Sequence, residues 1–148
     1  MKQMKNIRIF VCLLFATACS QKSRTQAQIL NNCEALINGK WVLISTVVNP
    51  PINGGDTDLF GISSDCIKDD TLIFKPDSTL VFDRGKLKCA PDDPQQNTLR
   101  WKLNGNALIV DGKCQTIETI DAHYLQMRYT QTLKSSVLHY KVRYKNAL

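Results

Sequence analysis

Apolar and polar residues alternate with a period of two through most of this chain, the period of a strand that buries one face. From Lys40 to Val48, Trp41, Leu43, Ser45 and Val47 alternate with Val42, Ile44, Thr46 and Val48, so both faces of a first strand carry β-formers. Asn49-Pro50-Pro51-Ile52-Asn53-Gly54-Gly55 ends that strand, because proline donates no ladder hydrogen bond and glycine releases the backbone. A connection to Asp69 follows, at roughly twenty residues long for a compact domain. Thr71 to Lys75 and Thr79 to Asp83 flank Pro76-Asp77-Ser78 as a hairpin, with Leu72, Phe74, Leu80 and Phe82 on one face. Asp83-Arg84-Gly85 invites a bend, and Asp92 to Asn97 is a polar turn. Leu99, Trp101 and Leu103 then point one way while Arg100 and Lys102 point the other. Asn104-Gly105 and Asp111-Gly112 are hairpin signals around Ala107 to Asp111, and a further strand runs from Gln115 to Ile120. Tyr124 to Leu133 and Val137 to Lys145 alternate around Lys134-Ser135-Ser136.

The pattern therefore predicts an all-β domain of about eight strands with short sequential connections, the signature of an up-and-down meander. About eight such strands close into a barrel wide enough for one small ligand, and closure removes the unpaired edges that template aggregation. A short helical segment, Asn31 to Asn38, precedes the first strand, with Asn32 as its cap and Gly39 as its stop.

The N-terminus follows another rule. Lys2, Lys5 and Arg8 precede an apolar run from Ile9 to Ala18, which is too short to cross a bilayer. A basic start, a short apolar stretch and small residues before a cut site make an export signal over residues 1–18. Leu14-Phe15-Ala16-Thr17-Ala18-Cys19 resembles the lipobox of bacterial lipoproteins, with Ala16 where leucine is commoner. That resemblance implies that Cys19 receives a diacylglycerol and becomes the acylated N-terminus, its acyl chains inserted in membrane lipid. Two or three chains give stable anchoring where one gives marginal binding. Ser20 rather than aspartate follows the cysteine, which by the Gram-negative sorting rule resembles an outer-membrane destination, the periplasmic side favoured over the surface. Residues 19–32 then read as the lipidated cysteine and a tether, polar and without apolar periodicity from Gln21 to Gln28, and 33–148 as the domain.

Loss of the signal changes the charge. Three of the 19 basic residues and none of the 13 acidic ones lie in it, which takes the net charge from +6 to +3. The remaining Lys and Arg residues are scattered along strands, as in Arg100-Trp101-Lys102, and read as solvated faces rather than a nucleic-acid footprint. Of the six cysteines, Cys12 leaves with the signal and Cys19 is lipidated; Cys33, Cys66, Cys89 and Cys114 remain. Cys66 and Cys89 are nearly equidistant from the turn at Pro76-Asp77-Ser78, so a hairpin there brings them together, leaving Cys33 to tie the N-terminal segment to the barrel through Cys114. None of these cysteines makes a Cys-x-x-Cys pair and neither histidine lies near one in sequence, which argues against a zinc site.

Gly39-Lys40-Trp41 at the first strand resembles the Gly-x-Trp element of lipocalins. Cys66-Ile-Lys-Asp-Asp70 leading to Phe74, then Cys89, then Trp101-x-Leu-x-Gly-Asn106-x-Leu108, resembles more closely the small lipocalin-like lipoproteins of Gram-negative bacteria. The likeness spans Asn38 to Tyr144, with Asp77-Ser78 where the usual turn is Asp-Gly. It implies a lipocalin-like barrel in the cell envelope. It also implies that Trp41 closes the barrel floor under a basic residue from the last strand, for which Arg143 is suitably placed.

Candidate cavity residues are the inward-facing Phe74, Phe82, Trp101, Leu108, Leu125, Met127, Tyr129 and Tyr140, which either line a pocket or fill the core of a narrow barrel. Catalysis lacks a nucleophile elbow, a His-Glu-x-x-His and a phosphate-binding glycine loop; His123 sits beside Asp121 at a turn and His139 faces solvent by alternation. Asp65, Asp69 and Asp70 cluster, but their spacing matches no calcium loop. The expectation is a protein without cofactor or enzymatic activity, and without a nucleic-acid partner. It holds a small apolar or amphipathic molecule in the barrel, or else has a filled barrel whose 49–69 loop contacts another envelope protein through Ile52, Leu59, Phe60 and Ile62.

Overall fold

The computed structural model describes residues 16–52 and 58–148, with side chains from residue 26 onward. The signal expected over 1–18 therefore lies largely outside the described residues, as does the side chain of Cys19. Helix α1 (Ala16–Ile37) comes first and β1 (Lys40–Asn49) follows. A single turn, α2 (Asp65–Lys68), interrupts the long connection to β2 (Thr71–Phe74). The strands β3 (Thr79–Asp83), β4 (Gln96–Asn104), β5 (Ala107–Val110), β6 (Lys113–Ile120), β7 (Tyr124–Leu133) and β8 (Ser136–Asn146) complete the chain.

All eight strands are antiparallel to their neighbours in sequence order, and β1 pairs with β8 to close the barrel. That closing ladder runs from Trp41 opposite Asn146 to Asn49 opposite His139, with a bulge between Leu43 and Ser45. The barrel is thus the up-and-down meander that the alternation predicts. Two turns show why local chemistry leads there: at Asp111-Gly112 both residues take positive φ, 46° and 78°, which a tight β5–β6 hairpin requires. At the β2–β3 turn Ser78 takes φ 66° in place of a glycine.

The segment read as a tether differs. Residues 21–28 lie within α1, whose backbone hydrogen bonding carries on through the polar stretch into Leu36 and Ile37. Asn32 accordingly sits inside the helix rather than capping it, and its Nδ2 donates to Asn106 Oδ1 at the β4–β5 turn, 3.2 Å away. Its C-terminal turns close one end of the barrel. Leu36 is fully buried there, and Trp41 Nε1 donates to the Leu36 carbonyl at 3.1 Å. Gly39 follows the last turn because a Cβ at that position would overlap the Trp41 indole. No helix of the described residues is long and apolar enough to cross a membrane.

At the opposite end the β1–β2 and β3–β4 connections are joined by a disulfide between Cys66 and Cys89, the pairing expected from their symmetry about the hairpin. The other expected pair is not formed. Cys33 and Cys114 are both free, because Cys33 packs from α1 against the core at the barrel's end while Cys114 is exposed on β6. Asp69 reinforces the staple: its Oδ2 accepts from the backbone N–H groups of Lys86 and Leu87. Gly85 is needed beside it, since its φ is +62° and a Cβ would run into the Asp69 carboxyl group.

The stack expected between Trp41 and Arg143 is also absent. Along β8, Leu138 and Val142 are buried and Arg143 is exposed, so Arg143 and Trp41 belong to opposite faces of the wall. The Arg143 guanidinium lies over the Tyr124 ring instead, 4.3 Å from its centroid.

Candidate functional site

The eight inward candidates separate into three groups. Phe74, Trp101, Leu108, Leu125 and Met127 belong to one buried core cluster with Leu36, Trp41, Leu80, Ile117 and Val142. Phe74 and Trp101 meet edge to face at 5.3 Å, and Trp101 Nε1 donates to the Lys75 carbonyl, so this part of the barrel is packed rather than open. Phe82 is half-buried near the stapled end, under the Arg84 guanidinium at 4.8 Å. Tyr129 and Tyr140 are the remaining two, and they line a cavity.

That cavity arises where two strands separate. The β6–β7 ladder runs from Ile120 opposite Leu125 to Thr116 opposite Arg128 and goes no further, with a bulge at Glu118 between Ile117 and Thr119. Strand β7 continues beside β8 as far as Leu133 opposite Ser136, and β6 continues beside β5 as far as Lys113 opposite Val110. The gap between them is a cavity of about 410 Å³ lined by Cys114, Thr116, Arg128, Tyr129, Thr130, His139 and Tyr140. On β7, Met127 is buried and Arg128 and Thr130 are exposed, so Tyr129 is on the inner face. On β8, Tyr140 is on the inner face and His139 on the outer. Residues of both faces therefore line one cavity, at the place where the two strands part.

The two tyrosines are direct cross-strand partners and stack with ring centroids 4.8 Å apart and planes 7° from parallel. Burial, and secondarily the neighbouring Tyr140, raises the Tyr129 phenol above its ordinary value. Deeper along β8, burial holds the Tyr144 phenol far above the usual range, so these phenols stay neutral donors at physiological pH. On the outer side Thr130 Oγ1 and His139 Nδ1 are 3.3 Å apart. Glu118 gathers three partners: Lys141 Nζ at 3.4 Å, Arg128 Nε at 3.8 Å and the amide of Gln126 at 2.9 Å.

The other titratable residues singled out from the sequence do not converge. Asp65 pairs with Lys68 at 3.0 Å on α2, Asp69 serves the staple, and Asp70 is buried with Oδ2 3.5 Å from Arg84. Desolvation raises the Asp70 carboxyl above its ordinary value, against the opposing pull of Arg84. Among the described residues, no group of three or more His, Cys, Asp or Glu side chains is arranged to hold a metal. Asp121 accepts from the backbone N–H groups of His123 and Tyr124, so its carboxylate shapes the turn between β6 and β7. Those bonds hold its carboxyl below the usual range.

Sequence reasoning found Tyr129 and Tyr140 by alternation but missed Thr116, Arg128 and Thr130 as site residues and read Cys114 as a disulfide partner. Their shared cavity depends on where one ladder stops, which no local pattern marks. Comparison with protein-family models, with curated proteins and with solved structures finds no match for this chain.

Proposed function

We propose that this chain is a lipid-anchored binding protein of the cell envelope, lipocalin-like in character, that holds a small apolar or amphipathic molecule in its barrel. The observation that carries the reading is the 410 Å³ cavity at the Tyr129–Tyr140 pair, within the size range of small-molecule clefts. Two tyrosine faces among the polar Thr116, Arg128, Thr130 and His139 give it an amphipathic lining, suited to a ligand with an apolar body and a polar group. The lipobox-like sequence ending in Cys19 supports the anchor, and Ser20 after it an outer-membrane address. Native mass spectrometry of the protein purified from its own envelope tests the reading. A bound species of small mass that is lost on unfolding is the expected result, and an empty barrel in every preparation counts against it.

A second reading is an interaction lipoprotein that touches another envelope protein through its stapled loops. It is favoured by one feature: Ile62, Ile67 and Leu87 are exposed on the two connections joined by Cys66–Cys89, Ile62 at 71% and Leu87 at 54%. Crosslinking in intact envelopes from a photoreactive residue at position 62 distinguishes it, since a pure ligand binder gives no discrete protein adduct there.

A further inference from the structure

We propose that the opening between β6 and β7 is a side port for a small amphipathic anion, its planar apolar body on the Tyr129–Tyr140 pair and its acidic group at Arg128. The inference rests on the reading of the barrel as a ligand binder and names the ligand's chemistry and its route in.

Three observations converge on it. First, among the described residues the far end of the barrel is core: Trp41, Phe74, Trp101 and Leu108 are packed there with Leu36 of α1. A ligand on the inner tyrosines is therefore reached from the wall or from the stapled end, and the cavity that they line lies in the wall, where β6 and β7 part. Second, the charges on the rim do not cancel. Arg128, which lines the cavity, shares the single Glu118 carboxylate beside it with Lys141, so two cations face one anion there. Third, Arg128 is available. Its side chain is 65% exposed and its one salt bridge uses Nε at the long distance of 3.8 Å. Its Nη groups take no part in that salt bridge and can form the paired hydrogen bonds that a guanidinium makes to a carboxylate, sulfonate or phosphate. The Thr116 and Thr130 hydroxyls line the same rim and can take up further polar atoms.

The arrangement requires that the same aromatic body bind more tightly when it carries a negative charge, and that Arg128 account for the difference. The test uses the full chain carrying Cys19→Ser, so that no acyl group competes, and two probes of one shape: 2-naphthoate and the uncharged 2-naphthamide. Isothermal titration calorimetry should find naphthoate bound roughly tenfold more tightly, the gain expected of one exposed charge-assisted contact. Arg128→Gln should bring naphthoate down to the affinity of naphthamide and leave naphthamide unchanged. Tyr140→Leu should weaken both probes, and Cys114→Trp, which fills the gap from the outer face, should abolish both. Unfolding midpoints in urea confirm that each variant is folded. Equal binding of the two probes, with Arg128→Gln changing neither, overturns the port while leaving a neutral-ligand barrel standing. Failure of both probes to bind also overturns it, and native mass spectrometry of the envelope-derived protein then judges the barrel reading separately.

Discussion

Trp41 and Leu36 are joined by a hydrogen bond from the indole N–H to the helix carbonyl, 3.1 Å long, in a place where both residues are fully buried. The bond ties the last turn of α1 to the first residues of β1, and the strand closing the barrel pairs at the same point, Trp41 opposite Asn146. Helix, first strand and last strand thus meet at one side chain.

Replacing Trp41 with alanine should cost ~3–5 kcal/mol, as expected for a buried aromatic. Phenylalanine should cost ~2 kcal/mol, because it restores much of the volume but withdraws the donor from a buried carbonyl. Arg143→Gln is the contrast: a cation–π contact at an exposed site is worth about 0.5–1 kcal/mol. Urea unfolding of the three variants checks the order. A loss at Arg143 equal to that at Trp41→Ala would contradict the outward stacking of Arg143 on Tyr124.

Ser78 occupies a left-handed conformation at φ 66° in the β2–β3 turn. Glycine there has no Cβ to strain, so Ser78→Gly should stabilise the domain by ~1 kcal/mol. The gain should appear as a higher urea midpoint with an unchanged slope.

Removing the staple should be costly. The Cys66→Ser, Cys89→Ser double variant frees a loop with a sequence separation of 23 residues. The expected loss is about 3 kcal/mol. In the unaltered protein, iodoacetamide without denaturant should label exposed Cys114 quickly and half-buried Cys33 slowly. Recovery of a Cys33–Cys114 peptide under non-reducing conditions would contradict the structure.

Acid should weaken the fold partly through Asp83. Its carboxylate accepts from the side chains of Gln96 and Gln95 and from the Gly85 backbone, which holds its folded pKa below the ordinary value of 3.8. For a depressed carboxylate the stabilisation is present above the unfolded pKa and is lost as pH falls through the folded one. Asp83→Asn should therefore flatten the loss of stability below pH 3.8. Asp70 has the opposite sign, because burial raises its folded pKa, so its ionisation opposes folding as pH rises through and above 3.8. Urea midpoints of Asp83→Asn and Asp70→Asn between pH 2 and 7 separate the two variants by the direction in which each slope changes.

Cys19→Ala tests the anchor. If the lipobox-like sequence acts as proposed, the variant accumulates as an unacylated precursor and leaves the detergent phase in a Triton X-114 partition. Fractionation identical to that of the parent chain would remove the anchor from the proposal.

Much of the barrel was legible in the chain itself, because alternation and turn chemistry are local. Period-two patterns place Tyr129 and Tyr140 on the inner face, Asp111-Gly112 enforces a tight reversal, and the distances of Cys66 and Cys89 from Pro76-Asp77-Ser78 bring the two sulfurs together. Sequential hairpins then leave β1 and β8 as the two strands that must pair for closure. What alternation does not contain is register between strands and the point at which a ladder ends. Those follow from the bulges at Leu43/Ser45 and Ile117/Thr119 and from how the core packs around Trp41. Tertiary structure alone therefore decided that Cys33 and Cys114 stay apart, and that Phe74, Trp101 and Leu108 are core rather than cavity lining. The opening follows from the same cause. Cys114 and Thr130 lie on strands adjacent in sequence, and the end of their ladder at Thr116 and Arg128 leaves the cavity that they line between the two strands.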